Sequence, residues 1–351
     1  MHPVLSRFAL MGAPVSSESF GSGHINGTQL VVCDSGRRYV LQHINTNVFR
    51  EPEKLMRNIE LVTAHLRKKV GDPRGVLRLV SAFDGRSFAV ESGEYWRVYE
   101  LVEGSVCYQS ADAELFRESA VAFGRFQNQL SDFPAEELVE TIPHFHDTPA
   151  RYLAFHDAVA KNAASRSSTV LREIDFVLAR EDFSHTLMDL LSAGELPLRV
   201  THNDTKINNV LFDEQTNKAL CVIDLDTVMP GLSVNDFGDA IRFGASTAAE
   251  DEPDLSKVHF DLSLYETYVK GYLSTCGGSL TKTERAMLPT GAKMMTLECG
   301  LRFLADHLNG DVYFHVSRPD QNLDRARTQF RLVDEMEKSW DKMHIIVEET
   351  H

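Results

Sequence analysis

The sequence predicts an α+β protein of two lobes, a small antiparallel β lobe followed by a larger, mainly helical lobe. Three observations lead to this prediction. The chain has 351 residues, which is too long for one compact core. Short β-type runs separated by turn residues fill the first hundred positions, whereas helical spacing of apolar residues dominates the rest. The change falls near residue 103, so the expected lobes are residues 1–103 and 104–351.

The small lobe is expected to be a sheet with one inserted helix. Thr28–Val32 and Tyr39–Ile44 flank the turn Asp34-Ser35-Gly36, which is a hairpin pattern. A helix is predicted after Pro52, because Leu55, Ile59, Val62 and Leu66 recur at helical spacing. Further strands are predicted over residues 77–80, 87–90 and 95–100.

The large lobe is expected to be helical around a few short strands. Helices are predicted over residues 111–130, 148–163, 168–191, 258–275, 281–308 and 320–341. The strands are the apolar runs 198–200, 210–212 and 220–223. Such short strands among helices place their flanking polar residues at the centre of the lobe.

The composition excludes several classes of function. A net charge of −15 disfavours nucleic-acid binding, which needs a basic surface. The sequence has no apolar run long enough to cross a bilayer and no clear secretory signal. Its five scattered cysteines form no CxxC pair, which argues against a disulfide framework and a structural zinc site. We therefore expect a cytoplasmic protein with a small-molecule partner, no membrane and no nucleic acid.

The strongest motif joins His202-Asn203-Asp204 to Asn209 and then to Asp224. Phosphoryl transfer needs a base beside the attacking hydroxyl and metal ions that neutralise the phosphates. Asp204 can accept the hydroxyl proton, and Asn209 with Asp224 can hold the metal. The alternative is a chance match in which Asp204 caps a turn. The spacing, with an apolar strand beside each residue, favours the functional interpretation.

A glycine-rich segment precedes the first predicted hairpin. Its candidate phosphate-binding residues are Gly21, Ser22, Gly23, Asn26, Gly27 and Thr28. Glycines let the backbone N–H groups approach phosphate oxygens closely. Because strands follow rather than a helix, this is no dinucleotide-binding fingerprint. An ordinary turn is an equal alternative from these residues alone; the position ahead of the Asp204 motif favours a phosphate-binding role.

An acidic segment follows the second metal candidate. Asp226 lies two residues after Asp224 and, on a strand, would point the same way and support the metal. Asp236 and Asp239 could add to a hard-oxygen environment for magnesium. The preferred interpretation is that at least one of these two caps the helix through Ile241.

A long helix near the C-terminus carries an apolar stripe that we interpret as core. Beside this stripe, Glu298, Arg302 and Asp306 repeat every four residues. They are either an ion-pair ladder on the helix surface or a face that hydrogen-bonds an acceptor molecule. The ladder is slightly preferred, and Glu298 and Arg302 stay candidate acceptor-binding residues together with His202 and Asp226.

These motifs resemble the aminoglycoside phosphotransferase and choline kinase superfamily, which has a two-lobed protein-kinase-like fold. Further segments are similar to its N-acetylhexosamine 1-kinase branch, and together they span nearly the whole chain. They are Tyr39–Phe49, Leu55–Glu60, Thr201–Asn209, Val222–Arg242, Glu298–Leu304 and Asn322–Phe330.

The resemblance implies transfer of the γ-phosphoryl group of ATP, with Mg²⁺, to the anomeric hydroxyl of an N-acetylhexosamine. It makes Asp204 the catalytic base, with Asn209 and Asp224 as magnesium ligands. Lys206 is the best cationic group for the transferring phosphoryl. The N-terminal lobe would bind the nucleotide, with Glu100 and Val102 in the hinge beside the adenine.

One residue departs from the wider kinase pattern. Gln42 stands where a phosphate-binding lysine is expected, and a neutral amide brings no charge. Either magnesium and a nearby Arg or Lys compensate, or phosphate binding is weak. Glu60, the candidate partner of that lysine, is then as well explained by a solvated helix face.

Two other functions stay open at this point. The acceptor could be choline, an aminoglycoside or another alcohol, for which a cationic group would need an aromatic box or an acidic cleft; Tyr313 and Phe314 keep that option. Alternatively, the chain could bind nucleotide without catalysis, which only the missing lysine favours.

Overall fold

A five-stranded antiparallel sheet forms the small lobe. The computed structural model of the chain describes residues 2–21 and 26–350. The strands lie in the order β1-β2-β3-β5-β4; they are β1 (Pro14–Ser19), β2 (Gly27–Cys33), β3 (Arg38–Ile44), β4 (Phe88–Glu91) and β5 (Glu94–Glu100). Helix α1 (Pro52–Leu66) connects β3 to β4 and buries Leu55, Met56, Ile59 and Val62. The predicted sheet with one inserted helix is therefore present.

Two details of the small lobe differ from expectation. β1 was not predicted, because its sequence is polar and most of its residues are exposed at the sheet edge. The predicted strand at 77–80 is not a continuous strand. Only Leu79 makes an isolated bridge, to Tyr99, while the Val80 N–H donates to the Val98 carbonyl at 2.8 Å.

The large lobe is mainly helical with two small sheets. Its helices are α2 (Ala113–Gln129), α3 (Thr148–Lys161), α4 (Leu171–Leu178), α5 (Glu181–Ser184), α6 (Thr186–Ser192), α7 (Ser233–Gly244), α8 (Leu262–Cys276), α9 (Lys282–Ala286), α10 (Leu288–Asn309), α11 (Gln321–Lys338) and α12 (Trp340–Glu349). Its strands are β6 (Ser105–Cys107), β7 (Arg199–Thr201), β8 (Val210–Asp213), β9 (Ala219–Val222) and β10 (Met229–Gly231). β6, β8 and β9 form one sheet, and β7 pairs with β10.

Three predicted helices are interrupted. Residues 168–191 divide into α4, α5 and α6, and residues 320–341 divide at Ser339. Residues 281–308 divide at Met287, because Pro289 stands in the first turn of the next helix. Short 3₁₀ helices add seven single turns, at residues 3–7, 73–75, 135–137, 167–169, 207–209, 225–227 and 255–257.

Helices α7 and α10 pack in close backbone contact at two glycines. A Cβ atom on Gly291 would lie 2.1 Å from the Val234 carbonyl oxygen, and one on Gly238 would lie 2.2 Å from that of Gly291. Only glycine permits this approach. The contact packs the first turn of α10 against the helix that supports the central loops. Within residues 2–21 and 26–350, no helix combines the length and apolar character needed to cross a membrane.

Candidate active site

The segment between β7 and β8 forms a rigid central loop. His202 is fully buried; its Nε2 lies 2.8 Å from the Ile223 carbonyl, and the Asp204 N–H lies 3.3 Å from its Nδ1. This pattern assigns the proton to Nε2. Asn203 adopts φ +63°, and its amide donates to the Thr227 carbonyl at 2.9 Å. Because both ring nitrogens of His202 are engaged within the chain, this residue shapes the loop; its assignment as an acceptor ligand stays a prediction.

Two carboxylates of α7 hold this loop in place by accepting hydrogen bonds from its backbone. The buried Asp236 accepts hydrogen bonds from the backbone N–H groups of His202 (2.8 Å) and Asn203 (2.7 Å). Asp239 accepts one from the Thr205 N–H at 3.0 Å. The preferred N-cap interpretation is wrong for both, because α7 already begins at Ser233, with Leu232 at the N-cap position. Asp236 stands at the end of the first turn and Asp239 in the second, and both side chains accept from the loop. Their role is to satisfy loop N–H groups that would otherwise be buried without acceptors.

Asp204 is held between a cation and an amide. Lys206 Nζ lies 2.7 Å from its Oδ1, and Asn209 Nδ2 donates to its Oδ2 at 2.9 Å. Burial would raise the pKa of the Asp204 carboxyl, but Lys206, His202 and Asn209 together hold it below its ordinary value. The pKa of Lys206 is raised, since Asp204 and Asp239 outweigh its burial. Asp204 is therefore an oriented carboxylate at neutral pH.

The two candidate metal ligands lie on adjacent segments. The Ile223 N–H donates to the Asn209 carbonyl at 2.9 Å, which brings Asp224 beside the loop. Asp224 adopts the left-handed φ of +57°. Burial, with Asp226 and Asp204 nearby, raises its pKa to about 6. In the described residues, no three His, Cys, Asp or Glu side chains cluster as a metal site.

The donor set nevertheless fits magnesium bound with a nucleotide. Asp224 offers a carboxylate, and Asn209 offers its Oδ1 because its Nδ2 donates to Asp204. Mg²⁺ is typically bound by one or two protein oxygen ligands together with phosphates and water. The crowding of acidic groups that raises the Asp224 pKa is also what a divalent cation would relieve.

Asp226 has a different role from the one expected. It lies in the 3₁₀ turn Leu225–Thr227 rather than on a strand, so it does not point with Asp224. Its Oδ1 pairs with Arg97 at 2.5 Å, and its Oδ2 accepts from Asn26 Nδ2 at 2.5 Å. Both oxygens of Asp226 are engaged within the protein and 3% of the residue is exposed, and its assignment as an acceptor ligand stays a prediction.

The glycine-rich segment connects β1 and β2, as a hairpin turn requires. Ser22 and Gly23 lie outside the described residues. Gly21 adopts φ +75°, the region that favours glycine. Gly27 begins β2, and Thr28 Oγ1 accepts from Gln42 Nε2 at 3.2 Å.

The predicted hinge lies where β5 ends. Glu100 is the last residue of β5, and its N–H donates to the Arg78 carbonyl at 2.9 Å. Val102 follows in the connection to β6, and its carbonyl accepts from Ser105 Oγ at 2.6 Å. The predicted boundary at residue 103 falls in this same connection.

Glu298 does not belong to an ion-pair ladder. It is fully buried and accepts hydrogen bonds from His146 Nδ1 (2.9 Å) and Thr148 Oγ1 (2.7 Å). Asp306 instead accepts from the N–H groups of Val312, Tyr313 and Phe314. The preferred ladder interpretation is therefore wrong, because each carboxylate is used by a segment outside α10.

Arg302 is surrounded by aromatic rings. Its guanidinium carbon lies 5.6, 6.0 and 5.5 Å from the ring centroids of Phe145, Tyr313 and Phe314. Arg302 and Arg242 both act electrostatically on Cys299, whose pKa burial raises to about 11. Arg242 in turn pairs with Asp239, the residue that accepts from the Thr205 N–H.

Sequence reasoning missed two residues, Arg97 and His146, and misread the role of a third. Arg97 was not singled out, although it is the cross-strand partner of Gln42. His146 lies in an irregular segment with no recognisable motif. The role of Asp236 was misread, since an acidic residue near a helix start is usually a cap.

Comparisons with known proteins agree with this geometry. A family model described as the phosphotransferase enzyme family matches residues 17–272. An aminoglycoside phosphotransferase from Alicyclobacillus acidocaldarius is 14% identical, with 98% of this chain and 95% of that chain covered and a TM-score of 0.66. An amicoumacin kinase solved with AMP-PNP, Ca²⁺ and Ami is 16% identical, with 96% and 92% covered and a TM-score of 0.62.

A Plasmodium vivax ethanolamine kinase is a more distant structural relative. It is 14% identical, with 90% of this chain and 82% of that chain covered and a TM-score of 0.54. At such identities these likenesses show the fold. The predicted α+β, two-lobed kinase-like architecture is thereby confirmed.

Proposed function

The chain belongs to the phosphotransferase enzyme family, and from that premise we propose that it transfers the γ-phosphoryl group of ATP to the anomeric hydroxyl of an N-acetylhexosamine. The products are a sugar 1-phosphate and ADP. One observation carries the phosphotransferase part: Asp204 is held between Lys206 and Asn209, with Asp224 on the adjoining segment. This arrangement supplies a proton acceptor, a cation and metal-binding oxygens within one loop.

The nucleotide is proposed to bind between the glycine-rich hairpin and the central loop. Asn209 Oδ1 and the Asp224 carboxylate would hold Mg²⁺, which when bound neutralises the charge of the β- and γ-phosphates. Lys206 would meet the γ-phosphoryl oxygens from the opposite side. Its raised pKa keeps this ammonium charged.

Asp204 orients the acceptor hydroxyl and accepts its proton. The anomeric oxygen forms the new bond to the γ-phosphorus as the bond from that phosphorus to the β-bridging oxygen breaks. The hydroxyl proton passes to a carboxylate oxygen of Asp204, and the bond electrons leave with ADP. Because its lowered pKa makes Asp204 a weak base, its main contribution is orientation, which suits the relatively acidic anomeric hydroxyl.

The acceptor is proposed to lie against the second half of α10. The Nε2 atom of His146 is buried and has no hydrogen-bond partner among the described residues. Its Nδ1 is fixed by Glu298 at 2.9 Å, so the free nitrogen has a defined direction. A sugar hydroxyl or acetamido group would satisfy it. Glu298 thus orients His146 rather than binding the acceptor itself.

The charge of this region favours a neutral acceptor. Choline and aminoglycosides are cations that aromatic rings or carboxylates would bind. Here the rings of Phe145, Tyr313 and Phe314 already surround the Arg302 guanidinium. Arg151 lies close by, and burial together with Arg302 lowers its pKa. Two positive groups at the acceptor position repel a cationic substrate and can donate to hydroxyl and carbonyl oxygens.

The structurally similar proteins suggest an alternative acceptor. Their names describe kinases of aminoglycosides, amicoumacin and ethanolamine, so a different alcohol acceptor on the same fold is the second candidate. The test is an ADP-release screen of the purified chain with ATP and Mg²⁺ against N-acetylglucosamine, N-acetylgalactosamine, other hexoses, choline, ethanolamine and kanamycin. Phosphorus NMR of the product then locates the phosphate. Release with an N-acetylhexosamine and a 1-phosphate signal is expected; release only with a cationic acceptor would overturn the sugar assignment.

A further inference from the structure

The site lacks the usual lysine on β3, but a buried arginine lies beside the position of that lysine. In the register of the central sheet, Gln42 on β3 lies directly opposite Arg97 on β5. Arg97 Nε donates to Gln42 Oε1 at 2.9 Å. Directly opposed residues on neighbouring strands have their side chains on the same face of the sheet. The positive charge of Arg97 therefore lies on β5, the strand next to β3, instead of on β3 itself.

Arg97 connects the two lobes. Its side chain is 1% exposed, and its Nη1 lies 2.5 Å from Oδ1 of Asp226, whose side chain is 4% exposed. Asp226 is two residues beyond the candidate metal ligand Asp224. The small-lobe sheet is therefore attached to the segment that would hold the metal by a single buried ion pair.

Two residues around the start of β2 join the hairpin to the same network. Asn26 Nδ2 donates to the other oxygen of Asp226 at 2.5 Å. Thr28 Oγ1 accepts from Gln42 Nε2 at 3.2 Å. A continuous chain of contacts thus runs from Thr28 through Gln42, Arg97 and Asp226 to Asn26. It links the hairpin, two strands and the 3₁₀ turn after Asp224.

Helix α1 offers no carboxylate to this network. The residue it presents to the guanidinium is Met56, whose Sδ lies 4.0 Å from Arg97 Nη1. Glu60, the candidate for a lysine partner, is exposed to solvent. The acidic partner of the small-lobe cation therefore comes from the large lobe, through Asp226.

We propose that Arg97 is a positioning residue that replaces the missing β3 lysine. It fixes the Asp224–Asp226 segment against the small lobe and offsets the negative charge of that segment, so that a magnesium nucleotide can bind there. This inference rests on the proposed function. Asp226 and Asp204 both act electrostatically on Asp224. A nucleotide triphosphate with one Mg²⁺ still carries negative charge, so a carboxylate left unpaired at this position would weaken its binding.

The test measures binding of Mg·AMP-PNP to the full chain by isothermal titration calorimetry, without acceptor. Arg97→Met should raise the Kd about tenfold or more, as loss of a charge-assisted contact does. Gln42→Lys combined with Arg97→Met returns a cation to β3 and should recover most of that loss. Arg180→Met is the matched control, since it removes an ion pair with Glu337 elsewhere in the large lobe; its Kd should equal that of wild type.

Asp226→Asn separates positioning from direct phosphate contact and serves if Arg97→Met does not fold. Positioning through Asp226 predicts a higher Kd for this variant. A lower Kd would mean that the released guanidinium binds phosphate directly and would overturn the proposal. An unchanged Kd in folded Arg97→Met, confirmed by its melting curve, would also overturn it. If wild type itself binds no Mg·AMP-PNP, the proposed function fails instead, so the two failures are distinguishable.

Discussion

The carboxylate of Asp236 accepts the backbone N–H groups of His202 and Asn203 at 2.8 and 2.7 Å, so one buried side chain of α7 fixes the start of the central loop. Burial raises the pKa of Asp236, while these two N–H groups and Gln127 oppose that rise. The loop conformation, with Asn203 at φ +63°, is maintained from outside the loop. Helix α7 therefore holds the loop in this conformation.

Asp236→Ala should therefore lower both stability and turnover. Each buried N–H left without an acceptor costs about 1–3 kcal/mol, and the displaced loop should reduce kcat by about tenfold or more. Urea unfolding and steady-state kinetics measure the two effects. Asp157→Asn, at an exposed pair with Lys161, is the control and should change neither. Full activity in a destabilised Asp236→Ala chain would contradict a role in positioning the loop.

Asp204→Asn should lower kcat by about 10²–10⁴-fold, the usual range for loss of a positioned general base. The amide keeps the shape of the side chain, but its single oxygen can accept from only one of the two donors, Lys206 or Asn209, so the orientation of the group is disturbed as well. The candidate metal ligands Asn209 and Asp224 are unchanged. Binding of Mg·AMP-PNP, measured calorimetrically, should therefore persist. Turnover close to wild type would show that another group accepts the proton.

His146→Phe should raise the KM for the acceptor about tenfold and leave the KM for ATP unchanged. An aromatic ring is retained, while the unpartnered Nε2 and the Nδ1 contact with Glu298 are both lost. Glu298→Gln should have a smaller effect, because the amide still accepts from His146 Nδ1. Initial rates with both substrates varied measure this. An increase in the ATP KM instead would move His146 to the nucleotide side.

Arg302→Leu should change the charge preference of the acceptor site. Without the guanidinium, the three aromatic rings can receive an external cation. Sugar kcat/KM should fall, and choline should begin to compete with the sugar. Arg327→Leu, which loses a pair with Glu173 on the same lobe, is the matched control. Unchanged sugar kinetics in Arg302→Leu would place the acceptor elsewhere.

Glu284 should make the stability of the large lobe depend on pH. Burial would raise its pKa, but Arg199, Thr281 and Ser233 together lower it from its ordinary value of 4.5. The folded chain then binds this proton less readily than the unfolded chain. The stabilisation is fully present above 4.5 and is lost as the pH falls through the lower folded value.

Glu284→Gln should accordingly cost about 1–3 kcal/mol of unfolding free energy at neutral pH, with the difference from wild type shrinking in acid. Urea unfolding between about pH 3 and pH 7 measures this difference. A constant difference over that range would show that the charge of Glu284 does not contribute.

Local patterns were enough to predict the lobes and the candidate loop. Asp204, Asn209 and Asp224 lie within one stretch of chain, so their spacing reports their proximity. The strand register was partly readable, since the Asp34-Ser35-Gly36 turn fixes β2 against β3. The role of Lys206 as a group beside Asp204 follows from the same short separation.

Contacts between distant segments could not be predicted. Arg97 and Asp226 are 129 positions apart, and nothing local to either marks the other. His146 and Glu298 are likewise 152 positions apart. Asp226 was misplaced because a left-handed residue at Asp224 interrupts the strand geometry on which alternation depends. Side chains that satisfy remote backbone groups leave no periodic signal.

Asp306 gives the aromatic segment after α10 an anchor that does not depend on the identity of the anchored residues. Its carboxylate is bound by three successive backbone N–H groups, those of Val312, Tyr313 and Phe314. A main-chain anchor tolerates side-chain replacement. Val312 and Tyr313, whose side chains are exposed, can therefore vary while the loop keeps its path. Under the proposed acceptor site, these two positions are the ones to randomise in a library selected for new acceptors.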